Sequence, residues 1–201
     1  MRFALLLLLP ILTSAAYADL NSIGPLGISA RGFKLPNGQN LDGEGVGIGM
    51  VEDYRPGKPG HDLDTDKYSS AVKPHKVFQQ SMDAPINGNI SQHAQAVGGI
   101  IIGDGSLGDY SQGVAQDAVL YAGGSFPDDS AGDLISTIHK IANHPISAAN
   151  PDVRAINMSY TWSLADQIYL DGNYELTRYL DWSAARHDIL YVVSGMSDTL
   201  V

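Results

Sequence analysis

The 201-residue sequence predicts an α/β fold with a mainly parallel sheet flanked by helices. Two observations carry that expectation. Short apolar runs alternate along the chain with longer stretches whose apolar residues recur at three-and-four spacing. The short runs are continuously apolar, as in strands covered on both faces, rather than alternating apolar and polar.

The elements follow in order. Val46, Ile48 and Met50 alternate with glycines and lead to Val51-Glu52-Asp53, a first buried strand. Residues 54–85 are polar and turn-rich without sustained periodicity, and read as one long loop. Gln92 to Ile102 predicts a helix. Ser91 is its N-cap, Gly103-Asp104-Gly105 its stop, and His93, Ala96, Val97 and Ile100 lie along one face. "AVLYAGG" from Ala118 is a second strand. Ala131 to Asn143 is a helix whose apolar side is Leu134, Ile135, Ile138 and Ile141. "VRAINMSY" from Val153 is a third strand, Tyr169 to Arg186 a helix, and "DILYVVSG" from Asp188 a fourth strand.

The ends and the bulk composition bound the function. Met1-Arg2-Phe3, an apolar run from Ala4 to Leu12 and Ala16-Tyr17-Ala18 before Asp19 form an export-signal pattern, so residues 1–18 are expected to be cleaved. The apolar run is too short to span a bilayer, and no later segment is apolar enough to cross one. A secreted or periplasmic protein is expected, with no membrane association after cleavage. Residues 19–42, rich in Gly, Pro and Asn, form an N-terminal arm, and residues 43–201 form one domain. The formal charge of −10 argues against a nucleic-acid partner. With no cysteine, neither disulfides nor thiolate chemistry is available. Nothing indicates a cofactor or fixes the oligomeric state.

In α/β sheets, sites gather beyond the carboxyl ends of the strands, where Glu52, Asp53, Gly123, Ser159 and Gly195 stand. An acid at a strand end and a histidine at a helix start are what a general base requires. The carboxylate fixes the tautomer and stabilises the imidazolium. Small residues after His93 let its helix press close to the sheet. Other patterns carry less. The histidines have no zinc spacing. Asp62, Asp64 and Asp66 begin like a calcium loop, but Lys67 stands where its glycine is required and Lys73 where its glutamate is required, so a solvated acidic loop is expected and no metal. The sequons at Asn89 and Asn157 read as chance matches.

"GEGVGIGMVED", "HAQAVGGIIIG", "GVAQDAVLYAGGSF", "AINMSYTW" and "YVVSGMSD" stand in an order and at spacings that resemble the subtilisin-like serine proteases, from about Gly43 to Asp198. The family's counterparts are a "GxxVxVxVID" strand, an "HGTHVAG" helix, "GVAPxAxLYAVKV", "VINMSLGG" and "VVxAAGN". The resemblance implies a three-layer subtilisin-like fold and a secreted serine endopeptidase acting on polypeptides. It places His93 as the catalytic histidine and Glu52 as the triad acid, with Asp53 the adjacent alternative, because strand neighbours point to opposite faces. Ser159 and Tyr160 match the substrate-lining strand, although the following residues depart from "LGG". Met196 stands where the family's asparagine donates to the oxyanion. A thioether cannot donate, and losing such a donor costs about 10²–10³ in rate. The family's nucleophile lies in "GTSMAAP", several dozen residues further on, and no "GTS" occurs here. The resemblance therefore implies a C-terminally truncated domain, inactive as it stands. Ser197 lacks the second glycine of a nucleophile elbow and reads as a loop residue. The rival expectation is a non-catalytic secreted domain that kept the fold.

Overall fold

The computed structural model describes residues 30, 32–63, 71–80, 82–108, 111–126, 130–159 and 172–194. The expected signal peptide, Tyr160, Met196 and Ser197 lie outside these residues. The described elements are β1 (Gly47–Asp53), β2 (Lys76–Gln79), β3 (Met82–Asp83), α1 (Gln92–Ile102), β4 (Val119–Ser125), α2 (Ala131–Ala142), β5 (Val153–Met158), α3 (Glu175–His187) and β6 (Leu190–Val193). They build one six-stranded sheet in the order β3-β2-β4-β1-β5-β6. All neighbours are parallel except β2 and β3.

Side chains alternate across the sheet and separate two cores. Val51, Tyr121, Ile156 and Met158 point to one face, where they meet Leu134, Ile138 and Ile141 of α2, with Leu176, Tyr179 and Leu180 of α3 packed alongside. Met50, Leu120 and Ala122 point to the other and meet Ala94 and Ile102 of α1. The result is the three-layer α/β/α arrangement expected. From β4 the chain moves through β5 to β6 with α2 and α3 on one face. From β1 it reaches β4, on the other side, by way of α1 on the opposite face. The carboxyl end of β1 therefore lies at a topological switch point, where crevices form in open sheets.

Three differences from the sequence expectation have physical causes. The loop expected over residues 54–85 contains β2 and β3. Lys76–Gln79 carries only two apolar residues, Val77 and Phe78, and its strand form comes from pairing with β4 rather than from its own pattern. The packed face of α1 is Ala94, Gln95, Gly98 and Ile102, not the expected face through Ile100, which is exposed. Close approach selects for small side chains here: a Cβ on Gly98 would stand 2.9 Å from Val72 Cγ1. Third, β6 is not covered on both faces. Leu190, Val192 and Val193 are 65%, 49% and 53% exposed. Among the described residues, no strand pairs with its outer edge.

Gly98→Val is expected to destabilise the fold by about 2 kcal/mol or more through overpacking against Val72, read by denaturant unfolding. The uncovered face of β6 predicts that purified residues 19–201 aggregate. Leu190→Lys with Val192→Lys is expected to raise the soluble fraction measured by light scattering, and no change would remove β6 as the cause.

Candidate active site

The acid comes from β1. Because Met50 faces α1 and Val51 faces α2, Glu52 returns to the α1 face and Asp53 does not. Glu52 is fully buried. The histidine comes from the first turn of α1, whose start is fixed by Ser91: its Oγ accepts from the Ala94 N–H at 3.3 Å. These two placements bring His93 Nδ1 to 3.1 Å from Glu52 Oε2. The contact is an ion-pair approach, not an aligned hydrogen bond, since Oε2 has no well-angled donor among the described residues.

The other carboxylate oxygen is held from β5. Oε1 accepts from the Ser159 main-chain N–H at 3.2 Å and from Asn157 Nδ2 at 3.4 Å. Asn157 Nδ2 also donates to Ser159 Oγ at 2.6 Å. One carboxylate oxygen is thus anchored by the strand beside it and the other is left for the imidazole. The His93 side chain is 61% exposed, so the ring is supported on its Nδ1 side and open elsewhere. That polarity suits a general base: the carboxylate orients one ring nitrogen while the other can exchange a proton.

Burial pushes the Glu52 carboxyl up from 4.5 to about 7; the neighbouring charge of Asp53 adds to the rise, and the hydrogen bonds from Ser159 and Asn157 oppose it. Asp53 is raised too, by burial, with the His93 ring pulling the other way. The His93 charge thus acts on Asp53 from a distance, whereas Glu52 makes the direct side-chain approach to the ring.

Ser159 lies at the site, but its main-chain N–H is engaged with Glu52. Asn157, dismissed in sequence as a chance sequon, is directed at the acid; its place two residues before Ser159 on the same strand face was the available signal. Asp62 is not solvated. It is buried and paired with Arg55 at 2.7 Å, and hydrogen bonds from Arg55, Lys58 and Asn87 outweigh burial and hold its carboxyl well below the usual range. Residues 64–70 of that loop lie outside the described residues. Among the described residues no group of His, Asp or Glu could hold a metal ion, and no helix is long and apolar enough to cross a membrane.

With this geometry in place, comparison with known proteins decides the family. A profile of the subtilase family (peptidase S8) matches residues 27–195. The chain belongs to the subtilase family. A comparison with curated protein sequences finds no match. Among solved structures, this subtilase is similar to the CspB protease of Clostridium perfringens, at 13% identity and a TM-score of 0.54, over 89% of this chain and 39% of that one. It is also similar to MycP1 from Mycobacterium smegmatis, at 18% identity and a TM-score of 0.46, over 79% of this chain and 42% of that one. The likeness to CspB is one of fold. The subtilase chain spans less than half the length of either structure.

The raised carboxyl has a consequence for stability. Glu52 binds its proton more tightly folded than unfolded. Its contribution is fully present below about pH 4.5 and is lost as pH rises through about 7, a difference of about 3 kcal/mol. Glu52→Gln keeps the shape and cannot ionise. It is expected to match the parent near pH 4 and to exceed it by about 3 kcal/mol near pH 8. Denaturant titrations at both pH values measure this, and a difference independent of pH would contradict the burial argument.

Proposed function

We propose that this subtilase is an exported serine-type endopeptidase domain in which Glu52 orients His93 and His93 acts as general base. The observation that carries the reading is the 3.1 Å approach of His93 Nδ1 to a fully buried carboxylate. Sequence supports the rest: residues 1–18 as the export signal, 19–42 as an arm and 43–201 as peptidase domain, in a secreted or periplasmic setting. Protease membership in the family implies polypeptide substrates.

In the proposed reaction His93 Nε2 takes the proton of a serine hydroxyl as its oxygen attacks the scissile carbonyl. The imidazolium then returns that proton to the leaving amine, and water hydrolyses the acyl-enzyme by the same steps. Glu52 pairs with the imidazolium while it exists. The serine is one that these 201 residues do not offer in a "GTS" setting. Ser194 N–H donates to Met158 O at 3.0 Å, and β5 pairs with β1 and β6, so β5 has no free edge through Met158. The substrate strand would therefore lie against the edge near Ser159, with Tyr160 as the second expected contact, rather than along β5. Met196 at the oxyanion position favours a second reading, a domain of the same fold without activity.

Exposing the full-length protein to a fluorophosphonate tests the choice. Covalent labelling that falls at least 100-fold in His93→Ala is expected for the protease. A well-folded protein that takes no label would establish the inactive domain instead.

A further inference from the structure

Arg55 is an unusual residue to bury in a loop, yet it is 1% exposed. Its guanidinium forms a two-pronged pair with Asp62, Nη1 to Oδ2 at 2.8 Å and Nη2 to Oδ1 at 2.7 Å. It also donates to Pro56 O at 3.1 Å and Pro85 O at 2.8 Å. Asp62 in turn accepts from the Lys58 N–H at 2.9 Å and the Asn87 N–H at 2.8 Å. One ion pair thus binds together the chain leaving β1, the turn at residue 62, and the segment that runs into α1.

The main chain of Arg55 connects the same parts to the site. Its N–H donates to Asn89 O at 3.3 Å, and its C=O accepts from the Ser91 N–H at 2.9 Å. Ser91 caps α1 and stands two residues before His93. Arg55 stands three residues after Glu52. A second tie runs from the Gly57 N–H to Gln95 Oε1 at 3.1 Å, inside the first turns of α1. The path from the acid to the histidine therefore passes through Arg55.

We propose that Arg55 and Asp62 are positioning residues for the Glu52–His93 pair, holding the start of α1 in register with the end of β1. This rests on the catalytic reading of that pair. Arginine suits the task because its planar fork engages Asp62 with two donors and leaves others for Pro56 and Pro85, fixing direction as well as distance. Lysine would supply the charge without the fork. The pair touches neither Glu52 nor His93, so its action is transmitted through the backbone at residues 55 and 91.

The test uses the chain carrying Leu190→Lys and Val192→Lys, the pair expected to keep it in solution, uniformly labelled with ¹⁵N. It reads the change in the His93 ring ¹⁵N shifts between that parent and Glu52→Gln, which the carboxylate 3.1 Å away produces. In Arg55→Met/Asp62→Leu, which removes both charges together, the His93 shifts are expected to move to their Glu52→Gln values. Amide exchange at Ser91 is expected to rise at least tenfold, while amides of β4 and β5 keep parental protection. Arg55→Lys is expected to fall between. If the paired variant does not fold, Arg55→Lys with the Ser91-to-β4 exchange ratio decides alone. His93 shifts that Glu52→Gln leaves unchanged refute the underlying pairing. Shifts that move in Glu52→Gln but not in the Arg55 variants, or exchange that rises equally everywhere, refute the positioning role and leave the pairing intact.

Discussion

A carboxylate without access to water, facing a half-open imidazole, is the constraint around which the carboxyl end of this sheet is arranged. Burying a charge is costly unless it is paired and hydrogen-bonded. Glu52 receives on Oε1 one donor from Asn157 of β5 and one from Ser159 just past it, and on Oε2 the approach of His93. The donors limit the penalty without cancelling it, so the carboxyl still titrates near neutrality. A group in that range can respond to a change in the charge of its neighbour within the pH span where enzymes work. The same three features would be wasteful in a purely structural acid. That role would be served better by an apolar residue of similar volume.

The sheet supplies rigidity that neither residue has by itself. β1 lies between β4 and β5, paired with β4 through Asp53 and with β5 through Val51, so the strand that leads to Glu52 is held on both sides. α1 is pressed onto that sheet through Ala94 and Gly98, and Gly103 ends it where a Cβ would strike Ser111 O at 2.1 Å. Small residues thus convert a helix that would otherwise roll on large side chains into one with a fixed distance from the sheet. This is the physical sense of the run "HAQAVGG". The small residues are the contact, and the histidine sits at the margin where contact gives way to solvent.

Local signals were legible where they acted locally. α1 begins and ends as its cap and its glycine predict, because Ser91 and Gly103 act within one turn. Strand alternation separated Glu52 from Asp53 for the same reason. What could not be read depended on distant partners. The packed face of α1 does not follow hydrophobicity alone: Ile100 is exposed, and the contact favours what is small. β2 is a strand because β4 is beside it. Arg55 and Asp62 look like surface charges in a polar loop until Pro85 and Asn87, more than twenty residues further on, arrive to enclose them. Asn157 looks like a sequon until the acid appears across the strand.

Tyr54 shows how the strand of the acid and the loop of the arginine are joined. It adopts φ 61°, a left-handed conformation that a bulky residue takes only at a cost of roughly 1–3 kcal/mol. The turn is held in place by its N–H, which donates to Ser125 O at 2.7 Å, and by its ring, which packs edge-on against Phe126 at 5.5 Å. Both anchors belong to the end of β4, the neighbour of β1. Were Tyr54 to relax to an extended conformation, Arg55 would continue along β1. It would then lose Asn89 and Ser91 as main-chain partners. The strain therefore does for direction what the small residues of α1 do for distance. It sends the chain away from the sheet at the one residue that lets Glu52 remain a strand residue while Arg55 becomes a partner of the helix start. A glycine would make the turn without strain but would forfeit the contact with Phe126, and with it one of the two anchors that tie this corner to β4.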